Sequence, residues 1–194
     1  MSIAVPPPEK TLMTAEEFLA LPDDGKERWL IRGEVFPREP SMTVRNRVHG
    51  EVEANTVFLL KLWLREQPEP RGKISCGESG FRLGRTPDSL VGIDVAYASA
   101  ELVAGHEESP VYYDGPPILA VEILSPSDKH EEIVRKVEAY LASGTVVWVL
   151  DPDFQTVSVH RPGQPPESFN ALKELSGEPE LPGFRVAVAD VFAS

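Results

Sequence analysis

Short apolar runs, separated by turn residues, alternate along this chain with segments whose apolar positions recur at helical spacing. The run Ile118–Leu124 is representative, because it is short, rich in Ile, Leu and Val, and flanked by proline. Such a run favours a buried strand. Two similar runs on either side of Arg32-Gly33 predict a hairpin. The predicted strands are 29–31, 34–36, 73–79, 80–83, 90–98, 118–124, 145–150, 154–160 and a last strand ending at Phe192.

Three segments have helical features. Thr14-Ala15-Glu16-Glu17 is a capping box that opens a short helix. The segment Val44–Arg65 is the longest predicted helix, and a third helix, capped by Ser127-Asp128, runs to about Ser143 before Gly144 stops it. The long helix has a mostly apolar stripe formed by Val48, Val52, Asn55, Leu59, Leu62 and Trp63.

This order of elements predicts an α/β fold on a mixed sheet flanked by helices, with an additional N-terminal hairpin. We expect residues 1–12, which include three consecutive prolines, to be extended or disordered, and residues 13–194 to form a single domain. No apolar stretch reaches transmembrane length, and the N-terminus lacks the pattern of a signal peptide. The single cysteine fits a reducing cytoplasm, so a cytoplasmic protein without membrane contact is expected.

The net charge of −12 is distributed unevenly. Residues 1–85 carry 13 basic and 13 acidic side chains, whereas residues 86–194 carry 6 and 18. Affinity for phosphate comes mainly from Lys and Arg, so the composition excludes a non-specific DNA coat protein. Any contact with nucleic acid is expected from the first half, or through a metal ion held by the acidic half.

Two carboxylates interrupt the apolar strands. Asp94 lies within Val91–Tyr97, and Glu122 lies within Ile118–Leu124. Burying an ionised carboxylate is costly unless a cation or hydrogen-bond donors meet it. If the two strands are neighbours, the pair supplies hard oxygen ligands that suit Mg²⁺ or Mn²⁺, with a backbone carbonyl such as that of Ile123.

Lys136 follows on the next helix, at the edge of its apolar face, where its amine can reach back over the sheet. It is placed to orient a water, help deprotonate it, or stabilise negative charge growing on phosphorus. The corresponding reaction is metal-assisted hydrolysis of a phosphodiester. The alternative is that Glu122 and Lys136 are a structural ion pair and that Asp94 is balanced by a nearby base.

Other candidates carry weaker signals. His49 and Glu53 share a helix face, and an exposed pair is the favoured interpretation of them. Ser125 follows the Glu122 strand and either binds substrate or, as the favoured alternative, caps a turn. The sequence contains no P-loop, G-x-G-x-x-G, G-x-S-x-G or H-E-x-x-H motif, which removes the common nucleotide-binding, hydrolase and zinc-protease classes. The candidates for supporting the proposed site are His49, Glu51, Glu78, Ser125 and Tyr140.

A set of short motifs follows in order along the chain: Met13–Phe18, Arg32–Val35, His49–Glu51, Gly77–Phe81, Gly92–Ala96, Val121–Ser127, Lys136 with Tyr140, Val147–Pro152 and Leu181–Phe184. This ordered set resembles the Uma-type family of bacterial restriction endonucleases, within the PD-(D/E)XK nuclease superfamily. The resemblance runs from about Met13 to Phe192.

The resemblance implies a restriction-endonuclease-like core and divalent-metal nuclease chemistry. Asp94 matches the motif aspartate and Glu122 the second acid. The superfamily lysine would fall at Leu124, and its counterpart here is Lys136 on the following helix. Ile93 replaces the proline of the motif, and Trp29–Gly33 departs from the family's Glu-Leu-Ile-Asp-Gly.

Three functions remain open at this point. The first is a Mg²⁺-dependent DNA endonuclease, expected to be a homodimer because two active sites cut two strands. The second is a catalytically inactive binding module that keeps the nuclease fold, and the third is a metal-dependent hydrolase of a small phosphate ester. A basic groove would favour DNA, and its candidate residues are Arg45, Arg47, Arg65, Arg71, Lys73, Arg82 and Arg85.

Overall fold

The computed structural model describes residues 12–25, 28–37, 46–105, 111–126 and 128–193. The predicted disordered segment up to residue 11, Arg45 of the predicted groove and the helix cap at Ser127 lie outside the described residues, and the division into domains stays a prediction. The elements are α1 Ala15–Leu19, β1 Arg28–Ile31, β2 Glu34–Pro37, α2 Arg47–Arg65, β3 Lys73–Gly84, β4 Ser89–Ala98, α3 Ala100–Ala104, β5 Tyr112–Tyr113, β6 Leu119–Ile123, α4 His130–Ala142, β7 Val146–Asp151, β8 Thr156–His160, β9 Glu167–Asn170, β10 Glu174–Ser176, β11 Arg185–Ala187 and α5 Val188–Val191.

The described strands β1 to β9 form one mixed sheet. Its main path runs β2-β1-β4-β6-β7-β8-β9, with β3 paired to β4 and β5 paired to β3. The β6–β7 and β3–β5 pairs are parallel and the others are antiparallel. This confirms the predicted mixed sheet flanked by helices and the N-terminal hairpin formed by β1 and β2.

The sheet forks along β4. Strand β3 pairs with β4 over most of its length, whereas β1 meets β4 at Leu90 and β6 meets it only at Val95–Tyr97. Because β3 lies along one edge of β4, β1 and β6 share the other edge. Asp94 lies between the two pairings, where the partner strands diverge.

A β-bulge lies opposite this fork. Cys76 pairs with Val95 and Ser79 with Ile93, so Gly77 and Glu78 together face a single residue of β4. Both bulge residues have positive φ, 75° and 61°. The prediction of two separate strands, 73–79 and 80–83, is therefore wrong, because Lys73–Gly84 is one strand. The bulge accommodates Gly77 and Glu78 without ending the strand.

Two hydrophobic clusters fill the two faces of the sheet. One lies under α2 and α5 and includes Val52, Leu60 and Val121. The other lies under α4 and includes Val137 and Tyr140. The glutamate strand β6 is buried throughout, so both of its faces are covered.

The buried face of α2 differs from the predicted stripe. His49, Val52, Thr56 and Leu60 are buried, while Val48 and Leu62 of the predicted stripe are 37% and 43% exposed. Two polar residues occupy the inner face because each finds a partner there. The Thr56 hydroxyl donates to the Val52 carbonyl at 2.7 Å, and His49 faces a carboxylate of the sheet.

Two element boundaries also differ from prediction. Helix α4 begins after Lys129 without a side-chain cap, because the Asp128 carboxylate accepts the Ser125 N–H at 2.7 Å instead. Gly144, at φ 89°, ends this helix as expected. The last predicted strand stops at Ala187, and the chain then turns into α5, which packs into the cluster under α2. No helix of the described residues is both long and apolar enough to cross a membrane.

Candidate active site

The carboxylates of Asp94 and Glu122 come from neighbouring strands. Val95 of β4 pairs with Val121 of β6, so the next position of this antiparallel register places Asp94 opposite Glu122. Main-chain pairing gives way there, because the Asp94 Oδ2 accepts the Ile123 N–H at 2.8 Å. Both residues are only 4% exposed. The fork therefore lets an aspartate side chain enter the sheet between two strands.

Helix α4 supplies two donors to Glu122. The Lys136 ammonium donates to Oε2 at 2.6 Å, and the Tyr140 hydroxyl donates to Oε1 at 2.5 Å. Lys136 and Tyr140 lie one turn apart on the same helix face, and both are buried. The Lys136 amine also lies 4.8 Å from the centre of the Trp29 ring. The lysine predicted to reach back over the sheet does so.

Helix α2 approaches Asp94 from another side. The Nε2 of His49 lies 3.3 Å from Asp94 Oδ2, and its Nδ1 lies 3.9 Å from Glu53 Oε2. The other Glu53 oxygen accepts the Gly77 N–H of the bulge at 2.8 Å. His49 is 4% exposed, so the favoured interpretation of an exposed His49–Glu53 pair is wrong. The i, i+4 spacing found the pair, but its burial depends on Asp94, which the helix pattern does not show.

The two carboxyl groups have opposite pKa shifts. Burial alone would raise the pKa of Asp94, but the hydrogen bond from His49 and the charge of Lys136 outweigh it and lower the pKa to about 2. For Glu122, burial dominates and raises the pKa to about 7, against the opposing charge of Lys136. The surroundings therefore favour a charged Asp94 and a Glu122 that titrates near neutrality.

The pKa values of the α4 side chains follow from the same charges. Burial alone would lower the pKa of Lys136, but the charges of Glu122, Glu78 and Asp94 raise it. Burial and the Glu122 charge hold the pKa of Tyr140 well above its usual value. Both side chains therefore stay protonated as donors to Glu122 at neutral pH.

Glu78 lies beside this group, as the sequence predicted. Its position in the bulge brings its charge close enough to raise the pKa of Glu122. The side chain lies over Gly92, where a Cβ atom would come within 2.6 Å of Oε2. Glu78 also lines a cavity of about 230 Å³ together with Trp29 and Tyr112. The bulge was the feature that sequence patterning missed.

Two other candidates are not drawn into the cluster. Glu51 accepts a hydrogen bond from Arg47 at 2.6 Å. Ser125 forms a turn with Asp128, donating its N–H to the carboxylate and accepting the Asp128 N–H at 3.0 Å. The geometry therefore matches the interpretation that Ser125 caps a turn.

The predicted basic groove does not form as a whole. Arg82 is only 3% exposed and is held by Glu16 at 2.5 Å and Asp88 at 3.1 Å. Arg85 pairs with Asp114, and Arg47 with Glu51. These arginines are neutralised by carboxylates that are distant in sequence or one helical turn away. Arg65, Arg71 and Lys73 lie together elsewhere on the molecule.

The donor set suits a hard divalent cation. Asp94 and Glu122 present carboxylate oxygens from adjacent strands, with the Ile123 main chain next to them. No group of three or more His, Cys, Asp or Glu residues within the described ranges is arranged to hold a metal. Two carboxylates are nevertheless a common protein contribution to a Mg²⁺ site, and waters would supply the other ligands. The residues therefore fit Mg²⁺ or Mn²⁺ and do not form an all-protein cage.

The mixed sheet flanked by helices brings Asp94, Glu122 and Lys136 together at its fork, and comparisons with known proteins place this fold in a family. A family model described as "Uma2: Putative restriction endonuclease" matches residues 15–189, and the chain belongs to this family. The fold is similar to the crystal structure of "a putative nuclease belonging to DUF820" from Anabaena variabilis ATCC 29413, with a TM-score of 0.74 and 22% identity over 93% of this chain and 97% of that one. No curated protein matches the sequence.

Proposed function

We propose that the protein is a divalent-metal-dependent endonuclease that hydrolyses the phosphodiester bonds of DNA. The observation that carries this proposal is the meeting of Asp94, Glu122 and Lys136 at the fork of the sheet. A buried acid pair with its own lysine is expensive to maintain, and such clusters concentrate at functional sites. Membership of a family described as restriction endonucleases supports the same chemistry.

Each residue has a role in this proposal. Asp94 and Glu122 would hold Mg²⁺ or Mn²⁺, which supplies Lewis-acid polarisation of the phosphate and a more acidic bound water. The Ile123 N–H and His49 fix the orientation of Asp94, while Tyr140 fixes that of Glu122. Lys136 offers a buried ammonium that can turn from Glu122 towards a phosphate oxygen or an attacking water.

Cleavage of supercoiled and single-stranded DNA with Mg²⁺ or Mn²⁺ tests the proposal. Asp94→Asn keeps the shape of the side chain but removes its charge, so we expect cleavage to fall by about 10²-fold or more. Glu51→Gln is the matched control, because Glu51 pairs with Arg47 away from the acid pair. Cleavage that persists in Asp94→Asn, or that never occurs in the wild type, contradicts the proposal.

One observation favours a second candidate, a catalytically inactive binding module with a nuclease fold. Both Glu122 oxygens already accept strong hydrogen bonds, from Lys136 and Tyr140, and such a network can stand without metal. Calorimetry with Mn²⁺ separates the two. Metal binding that Asp94→Asn abolishes supports the nuclease, whereas no metal binding in the wild type supports the module. Metal binding without DNA cleavage directs the search to small phosphate esters.

A homodimer is part of the proposal, because cutting both strands of a duplex requires two active sites or two successive encounters. Light scattering of the purified protein measures the mass directly. A mass of twice 21.4 kDa supports the dimer, and a monomer at working concentrations contradicts it.

A further inference from the structure

A basic groove lies at the far end of α2 from His49. It has a volume of about 410 Å³ and is bounded by the last turns of α2 and the start of β3. Four of its lining residues are basic and exposed, and Leu64, Ile74 and Tyr113 supply apolar surface between them. Among the described residues, no acidic side chain lines it. The four basic residues are Lys61, Arg65, Arg71 and Lys73.

The charges of this groove are not balanced locally. Across the described ranges the structure records no ion pair for Lys61, Arg65 or Lys73. Arg71 is held by its neighbours, since its Nε donates to the Gln67 carbonyl at 2.6 Å and its guanidinium lies 3.4 Å from Glu69. Three of the four cations therefore have no recorded ion pair within the described residues, and a cluster of this kind attracts anions even in a chain with a net charge of −12.

We propose that this groove binds the phosphate backbone of DNA and aligns it with the acid pair, an assignment that rests on the proposed nuclease function. The groove and Glu78, which lies beside the acid pair, are both on strand β3. Lys73 and Glu78 are five residues apart on β3, a span of at most about 17 Å because the bulge shortens the strand. That length corresponds to about five nucleotides of one DNA strand.

Cys76 lies on the path between the two sites. Burial raises the pKa of its thiol, and the charges of Glu53, near the acid pair, and Lys61, in the groove, both act on it. The thiol is exposed and is the single cysteine of the chain. In this proposal, a DNA strand that runs along β3 from the groove to the bulge passes beside Cys76.

The first test measures the binding of a fluorescein-labelled duplex by anisotropy, in EDTA, across a range of NaCl concentrations. The double variant Lys61→Gln/Arg65→Gln removes two phosphate contacts. We expect the slope of log K against log salt to become shallower by about 1.8 and the affinity to fall about tenfold or more. The matched control is Lys173→Gln/Arg185→Gln, which makes the same charge change on the segment around β10 and β11.

Each outcome of the first test decides the matter. A shallower slope in the groove variant with a wild-type slope in the control supports the proposal. Equal losses in both variants mean that only overall charge matters and overturn it. Failure of the wild type to bind duplex at 50 mM NaCl also overturns it.

The second test measures protection of Cys76 by bound DNA and leaves the residues between the groove and the bulge unchanged. Saturating duplex is expected to slow alkylation of Cys76 by a neutral maleimide about tenfold, because bound DNA covers the thiol. The Lys61→Gln/Arg65→Gln variant should lose this protection at the same DNA concentration. An unchanged alkylation rate in the wild type at saturating duplex overturns the assignment.

Both tests run without metal and do not require DNA cleavage. Failure of the groove proposal can therefore be distinguished from failure of the proposed nuclease function. If DNA binding depends on the groove but the protein never cleaves DNA, the groove assignment is supported and the nuclease function is contradicted. If the protein cleaves DNA and the KM is unaffected by Lys61→Gln/Arg65→Gln, the nuclease function is supported and the groove assignment is contradicted.

Discussion

Asp94 and Glu122 are equally buried, yet the pKa values of their carboxyl groups shift in opposite directions. Burial raises the pKa of both carboxyl groups, and the two differ in the neighbouring groups that oppose or add to this effect. Asp94 receives a main-chain N–H and faces His49, whereas Glu122 has the neighbouring charges of Asp94 and Glu78 acting against ionisation. A divalent cation near both groups would oppose that repulsion, so binding of metal is expected to release a proton from Glu122.

The raised pKa of Glu122 gives a signed prediction for stability. Its folded pKa of about 7 exceeds the ordinary glutamate pKa of 4.5, so its contribution is fully present below about pH 4.5 and is lost as the pH rises through 7. The change amounts to about 3 kcal/mol. Asp94 acts in the opposite direction, since its stabilisation is lost as the pH falls from about 4 through 2.

Urea denaturation between pH 4.5 and pH 8, with and without Glu122→Gln, measures the effect. The wild type should lose stability across this range relative to Glu122→Gln, which cannot titrate there. Glu131→Gln, an exposed change in the first turn of α4, serves as the control and should follow the wild-type profile. Parallel profiles for the wild type and Glu122→Gln would show that Glu122 is already ionised at low pH.

Asp94, Glu122 and Lys136 could be singled out from the sequence because each is a charged residue within or beside an otherwise apolar pattern. Acidic residues within apolar strands are conspicuous, and so is a lysine at the edge of an apolar helix face. The pattern of its own helix does not mark His49 as buried, since its burial depends on Asp94, a strand residue 45 positions away. Residues of this kind are recognisable only once the strand and the helix are placed together.

At the scale of elements, the β3 bulge determines where Glu78 lies. Gly77 and Glu78 both adopt positive φ, and Gly92 across the ladder leaves room for the Glu78 side chain. Sequence patterning located the strands but not the bulge, because a Gly-Glu pair equally suits a turn. The same limit applied to α4, where Ser127-Asp128 resembles a cap but Asp128 binds Ser125.

Gly92→Ala tests this packing. The new Cβ would come within 2.6 Å of Glu78 Oε2 and 3.2 Å of its Cβ, so Glu78 must move. We expect a loss of about 1–3 kcal/mol in the free energy of unfolding. We also expect the apparent pKa of Glu122 to fall as the Glu78 charge moves away, measured by NMR titration of the carboxyl carbons.

Gly84→Ala, on the same sheet but with nothing within 4 Å of the added Cβ, is the control. It should leave the Glu122 titration unchanged. A Gly92→Ala protein with the wild-type Glu122 titration would mean that Glu78 does not act on the acid pair.

At the scale of the whole molecule, the sheet order was only partly predictable. The number and type of the central elements followed from periodicity, and the family resemblance supplied the expected core. The fork of β4 did not follow, because it depends on which strands share an edge, and a linear pattern does not encode that pairing. The short helix α5 replaced a predicted strand for a similar reason, since it packs against α2 from the far end of the chain.

Metal binding at the fork should stabilise the entire fold. At 100 times its dissociation constant, Mg²⁺ is expected to add about 2.7 kcal/mol to the free energy of unfolding. Asp94→Asn should remove most of this gain, while Glu51→Gln should keep it. Thermal unfolding across a Mg²⁺ titration makes the comparison, and an equal gain in Asp94→Asn would place the binding ions on the acidic surface instead.

The contact between Lys136 and Trp29 gives the protein an intrinsic optical reporter. Indole emission responds to a charge close to the ring, and the Lys136 amine lies 4.8 Å from the Trp29 centroid. Trp63 and Trp148 belong to the cluster on the opposite face of the sheet and are held among Tyr97 and Phe184. Any ligand that draws the ammonium away from Glu122 should therefore change the fluorescence of one tryptophan out of three, so that events at the fork can be followed in real time without a label.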